Sequence, residues 1–167
     1  MTPIVAKRSV RPSLAVRAAD APALTDRVVV GVRYIESSAL VAALLERDAK
    51  ALKSLRANTR QVTSALTFAE AARAILRARI SERLTPDEER AAVRALRRFE
   101  RRCYAIAITG DVLARVRRPF PVEPVRTLDA MHLATAELLD ESPQLVTIVT
   151  RDARVRDNAR ALGYALE

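Results

Sequence analysis

Four carboxylates stand where short apolar runs give way to helical patterns. Glu36 follows "VRYI", Glu70 comes shortly after "QVTS", Asp129 lies in "RTLDAMHLATAELL" and Asp152 comes just after "TIVT". Carboxylates gathered without a paired Lys or Arg repel one another, and a hard divalent cation is the usual remedy. Ser37, Ser38, Thr63, Ser64, Thr127 and Thr150 stand beside them. These hydroxyls suit helix caps, with one or two free to orient a carboxylate or a bound water. His132 is the only histidine and lies three residues after Asp129, so the two share a helical face. It could be a base or a ligand, but a packing residue with one hydrogen bond is the plainer expectation.

Each acid, taken singly, is better explained as a cap at the positive end of a helix, where carboxylates are favoured, than as a ligand. Asp111 in "TGD" is read that way, Asp157 sits a turn further into its helix, and neither is assigned chemistry. With three glycines and neither a G-x-G-x-x-G nor a P-loop, the chain lacks a nucleotide cradle. Nothing brings His132 to Ser38 or Ser64 as a nucleophilic triad would need.

The elements that must position the acids alternate along the chain. Strand-like runs cover 32–35, 61–64, 104–108 and 145–150, with a short last one at 164–166. Helical patterns cover 38–45, 48–57, 67–80, 86–102, 111–117, 128–139 and 153–162, the last closed by Gly163. Strands alternating with helices imply a parallel sheet covered on both faces. Ligands bind beyond the carboxyl ends of such strands, the edge that all four acids can reach. The start at 86 is the sharpest local signal: Thr85 and Glu88 match a capping box, and Pro86 takes the first helical position.

The chain has 167 residues, enough for one domain with a sizeable core. Its net charge of +9 favours a polyanionic partner. Aromatic residues make up 4% and Trp is absent, which argues for backbone phosphate binding over base stacking. Arg90, Arg94, Arg97 and Arg101 form a helical stripe; a solvated face explains it more readily than an RNA track, and Arg94, Arg97 and Arg101 are kept as secondary RNA-binding candidates. A single cysteine, Cys103, allows no intrachain disulfide and suits a reducing, cytoplasmic setting. Residues 1–31 carry Pro3, Pro12 and Pro22 and no sustained period, and are expected to be a poorly ordered extension. The remainder, 32–167, has 24 basic and 18 acidic side chains, a net +6.

"YIESSALVAALLE", "SALTFAEAARAI", "VRTLDAMHLATAELL" and "IVTRDARVRDNARALGY" together resemble the motifs of PIN-domain ribonucleases, specifically VapC-type toxins of bacterial and archaeal toxin–antitoxin pairs. The resemblance runs from about Val32 to the C-terminus. It implies a three-layer α/β/α PIN domain with a central parallel sheet of four to five strands. It implies a metal-dependent endoribonuclease using Mg2+ or Mn2+, with Glu36, Glu70, Asp129 and Asp152 as catalytic acids and Glu36, Asp129 and Asp152 as the metal ligands. Ser38 and Thr150 would support them. A homodimer inhibited by a cognate antitoxin, with RNA as substrate, completes what the likeness carries. The sequence departs from the family at Glu36, where Asp is usual, so the charge sits on an arm one methylene longer. Its rival is a PIN-fold module that binds RNA or antitoxin without efficient turnover. A receiver domain ranks last, because Glu36 stands alone and Asp111 lacks the expected Lys. Chains that resemble this one usually begin close to their first strand, so a translational start at Val32 is an alternative that the native protein's intact mass would decide.

Overall fold

Val32, Tyr34, Val146 and Ile148 fall into one hydrophobic core, while Ile35 and Val149 fall into a second. That split follows from the two-residue period of a strand and places helices on both sides of one sheet. The computed structural model describes residues 15–16 and 31–167. The expectation for residues 1–31 therefore lies, apart from Ala15, Val16 and Gly31, outside the described residues.

The strands are β1 (Ala15–Val16), β2 (Val32–Ile35), β3 (Arg60–Ser64), β4 (Tyr104–Ile106), β5 (Val146–Val149) and β6 (Ala165–Leu166). Their order is β1-β4-β3-β2-β5-β6, with β2 through β6 parallel and the two-residue β1 antiparallel at the edge. Tyr34 pairs with both Val62 and Ile148, and Ile35 with Val149, so the central strands end nearly level. Five parallel strands between two helical layers meet the three-layer expectation.

The helices are α1 (Ser37–Val41), α2 (Ala49–Arg56), α3 (Ala65–Ile80), α4 (Pro86–Glu100), α5 (Gly110–Val116), α6 (Thr127–Glu137) and α7 (Ala153–Ala161). Val112, Leu133 and Val155 bring α5, α6 and α7 to the core that holds Tyr34. Leu40, Ala51, Ile75 and Leu96 bring α1 to α4 to the core that holds Ile35. Both halves of the capping box at Thr85 and Glu88 are formed. After α7, Gly163 takes φ +87°, and the Tyr164 N–H donates to Ala159 O at 2.9 Å, the left-handed stop expected of that glycine.

Three of the boundaries that differ from the sequence pattern bear on the elements around the acids. The helix after β2 runs as α1 and then widens into a π turn at Ala42–Glu46, ended by Arg47 at φ 55°. Helix α3 starts at Ala65 because Ser64 Oγ accepts the Leu66 N–H, which moves Glu70 from the first turn into the second. Strand β4 stops at Ile106, short of Ile108, before Thr109 caps α5. Among the described residues no helix is long and apolar enough to cross a membrane.

Candidate active site

Glu36 occupies the single residue between β2 and α1 and caps the helix, its Oε1 accepting the Ser38 N–H at 3.0 Å. The carboxylate is only 3% exposed, so every lone pair matters. Ser37 Oγ donates to Oε1 at 2.7 Å, Thr150 Oγ1 donates to Oε2 at 2.8 Å, and Ser38 Oγ donates to Oε2 as well. Among the described residues four donors and no Arg or Lys thus hold this buried carboxylate. Cap and strand-end acid are here one residue, and the cap does not exhaust its bonding.

Ser38 also joins two strand ends. Its Oγ accepts the backbone N–H groups of Arg151 at 2.8 Å and Asp152 at 3.1 Å. Thr150 Oγ1 accepts the same Asp152 N–H at 3.0 Å. Asp152 in turn caps α7, its Oδ1 accepting from Arg154 and Val155 at 2.8 and 3.2 Å. The turn is braced outside by Arg151, whose guanidinium pairs with Asp48 at 2.9 Å. Asp48 caps α2, and its carboxyl is held down to about 2 by the Arg151 bond first and the Ala51 N–H second.

Asp129 lies in the first turn of α6, half-buried, and has no such support. Its Oδ2 is buried without a hydrogen-bond partner among the described residues. Burial pushes its pKa up, and the charges of Asp152 and Glu36 push it further, against smaller opposing effects of Arg126 and His132. A buried carboxylate oxygen with a free lone pair, within electrostatic reach of Asp152 and Glu36, fits a hard cation in its donor chemistry. As the side chains stand, no three His, Cys, Asp or Glu residues among the described residues come close enough together to hold an ion.

Glu70 comes from the other helical layer and meets α6 through His132, whose Nε2 lies 2.7 Å from Glu70 Oε2 and 3.9 Å from Glu36 Oε1. On its far side His132 Nδ1 lies 3.1 Å from the Tyr34 hydroxyl. Tyr34 is buried, and burial first, then the charge of Glu36, pushes its phenol well above its ordinary range. The packing histidine with one hydrogen bond is thus corrected to a buried link with two. Its spacing from Asp129 is the signal that pointed there; the Tyr34 hydroxyl had none, because its place in the strand period marked it only as core.

The remaining candidates separate cleanly. Ser37, Ser38 and Thr150 orient a carboxylate, Ser64 caps α3, and Thr63 Oγ1 donates to Ile35 O. Asp111 sits in the first turn of α5, and Asp157 pairs with Arg160 at 3.4 Å. Arg94, Arg97 and Arg101 are exposed and make no ion pair among the described residues, while Arg90 pairs with Asp87.

A parallel sheet between two helical layers, with four acids at the carboxyl ends of its strands, is the arrangement of a PIN domain, and the PIN domain family model matches residues 33–161. The chain belongs to that family. Within it, the chain is 34% identical over 137 residues to Ribonuclease VapC35 of Mycobacterium tuberculosis, covering 80% of this chain and 93% of the relative. It is 37% identical over 135 residues to Ribonuclease VapC46 of the same organism, covering 80% and 94%. This is a VapC-type PIN-domain protein.

Proposed function

We propose that the protein is a Mg2+- or Mn2+-dependent endoribonuclease, the toxin of a toxin–antitoxin pair, cutting RNA phosphodiester bonds in the cytoplasm. The observation that carries the metal site is Asp129 Oδ2, buried without a partner among the described residues and within electrostatic reach of Asp152 and Glu36. The ribonuclease names of the VapC35 and VapC46 relatives support the reaction and its substrate class. Asp129, Asp152 and Glu36 would hold the cation, which would activate a water for in-line attack and neutralise charge on the phosphorus. Ser37, Ser38 and Thr150 keep the Glu36 carboxylate turned into the junction, and the Ser38 and Thr150 hydroxyls lock the Asp152 backbone beside it. Glu70 brings a fourth charge to the same edge. A homodimer and a cognate antitoxin that blocks the cleft accompany this reading through the family resemblance.

A second reading has two observations in its favour. Glu36 is tied by four hydrogen bonds within the protein, and no three acids among the described residues stand in ligand arrangement. A PIN-fold module that binds RNA or antitoxin with weak turnover would keep such a carboxylate for shape alone. Incubating a panel of structured RNAs with the protein, with Mg2+, Mn2+ or chelator, tests both. Cleavage restored by either ion supports the enzyme; binding without cleavage under every condition supports the module.

A further inference from the structure

We propose that His132 is a positioning residue for this site: its imidazole, backed by Tyr34, holds the Glu70 carboxylate at the acidic edge. The inference rests on the nuclease reading for its kinetic part only. Three elements meet at this ring, with Tyr34 on β2, His132 on α6 and Glu70 on α3. Tyr34 and His132 are each 1% exposed, whereas the Glu70 side chain reaches the surface at 23%. The row therefore runs from the core outward and ends at solvent.

The donors and acceptors present fix the direction. A carboxylate only accepts, so toward the Glu70 carboxylate, 2.7 Å away, Nε2 is the donor. In the neutral imidazole tautomer that carries its proton there, Nδ1 accepts, and the Tyr34 hydroxyl donates to it at 3.1 Å. One imidazole proton and one phenol proton satisfy both hydrogen bonds. The Tyr34 and His132 rings meet edge-on, their centroids 6.2 Å apart at 75°, which seats the imidazole against the core. A histidine present only for packing has no need of an acidic partner at the surface. The same residue also couples the helix of Asp129 to the helix of Glu70, because Asp129 and His132 are one turn apart on α6. Partners of this outer kind orient carboxylates at such sites, and losing one typically costs 10–100-fold in affinity or activity.

Because His132 is the only histidine in the sequence, its ring nitrogens give one unambiguous set of 15N signals. At neutral pH, without metal or RNA, the spectrum should show a proton on Nε2, and Glu70→Gln should shift that signal. An unprotonated Nε2, or a spectrum that Glu70→Gln leaves unchanged, overturns the proposal. In RNA cleavage, His132→Leu should lower kcat by at least about tenfold with KM little changed. His132→Gln, which keeps a donor near Nε2, should recover most of that loss, and in a Glu70→Gln background His132→Leu should cost almost nothing more. Thermal melts of each variant count the folded fraction. Equal losses with and without Glu70, or unchanged kcat per folded molecule in His132→Leu, would reduce His132 to packing. Wild-type protein that cleaves no RNA would remove the nuclease reading, and the imidazole spectrum would still decide whether His132 holds Glu70.

Discussion

Ser38 Oγ and the backbone N–H of Asp152 lie 3.1 Å apart, and the same oxygen accepts the Arg151 N–H and donates to Glu36. One hydroxyl thereby closes the end of β2 onto the end of β5, across 114 residues of chain. Ser38→Ala leaves the Arg151 N–H without its partner and Glu36 with one donor fewer. A loss of about 1–3 kcal/mol in urea unfolding is expected, together with slower RNA cleavage, since two acids lose their common anchor. A loss below about 0.5 kcal/mol, the size ordinary at surface positions, would mean that water replaces the hydroxyl freely.

Asp129 destabilises the protein where it is charged. Its folded pKa is raised, so the native state holds that proton more tightly than the unfolded chain, and stability falls as pH rises through the folded value. Asp129→Asn should remove this slope. Without divalent ions the variant should melt higher than wild type at pH 7, and the two should converge below about pH 3.8, the ordinary carboxyl value. Calorimetry should also find Mg2+ or Mn2+ binding largely lost in the variant. Equal affinity in both proteins would leave Asp129 as a charge at the positive end of α6 alone.

The opposite sign holds at Asp48, whose pKa is lowered to about 2 by Arg151. Its stabilising contribution is present above the unfolded value of 3.8 and is lost as pH falls through about 2. Asp48→Asn, which keeps the cap but not the charge, should therefore be less stable than wild type at pH 7, and the gap should close as pH falls through about 2. A gap of constant size across that range would rule out the ion pair as its cause.

Much of this was legible in the sequence, and the reasons are physical. Strands β2 and β5 show their two-sided burial as near-continuous apolar runs, and the start of α4 is written in three residues, Thr85, Pro86 and Glu88. The four acids could be placed because helix starts and the carboxyl ends of parallel strands coincide. The links between them could not. Tyr34 to His132 spans 98 residues, His132 to Glu70 spans 62 and Ser38 to Arg151 spans 113, distances that no local period encodes. The π turn at Ala42–Glu46 was equally invisible, since its apolar spacing continues that of α1.

The exposed arginines of α4 offer a further separation. Replacing Arg94, Arg97 and Arg101 by Ser should weaken RNA binding and flatten the dependence of log affinity on log salt, by about 0.7 to 0.9 for each phosphate no longer neutralised. An unchanged slope would leave the stripe as a solvated face.

Glu36 separates cap from site acid. A cap alone predicts a stability change of about 1 kcal/mol and intact catalysis on substitution. As a site acid, Glu36→Gln should slow cleavage at least about tenfold, equivalent to about 1.4 kcal/mol in the barrier, because it removes the charge while keeping length. Glu36→Asp keeps the charge and installs the residue usual in the family, so its cleavage rate should match or exceed that of wild type. Equal rates in all three proteins would end the assignment of Glu36 to the site.

The most direct measurement is the single-turnover rate of RNA cleavage by wild type and Asp129→Asn, each with Mg2+, with Mn2+ and with chelator. Wild type should cleave with either ion and stop on chelation, and Asp129→Asn should be at least about tenfold slower with both, a loss of about 1.4 kcal/mol in transition-state stabilisation. Cleavage that survives chelation, or an Asp129→Asn variant as fast as wild type, would contradict a metal-dependent site at this edge.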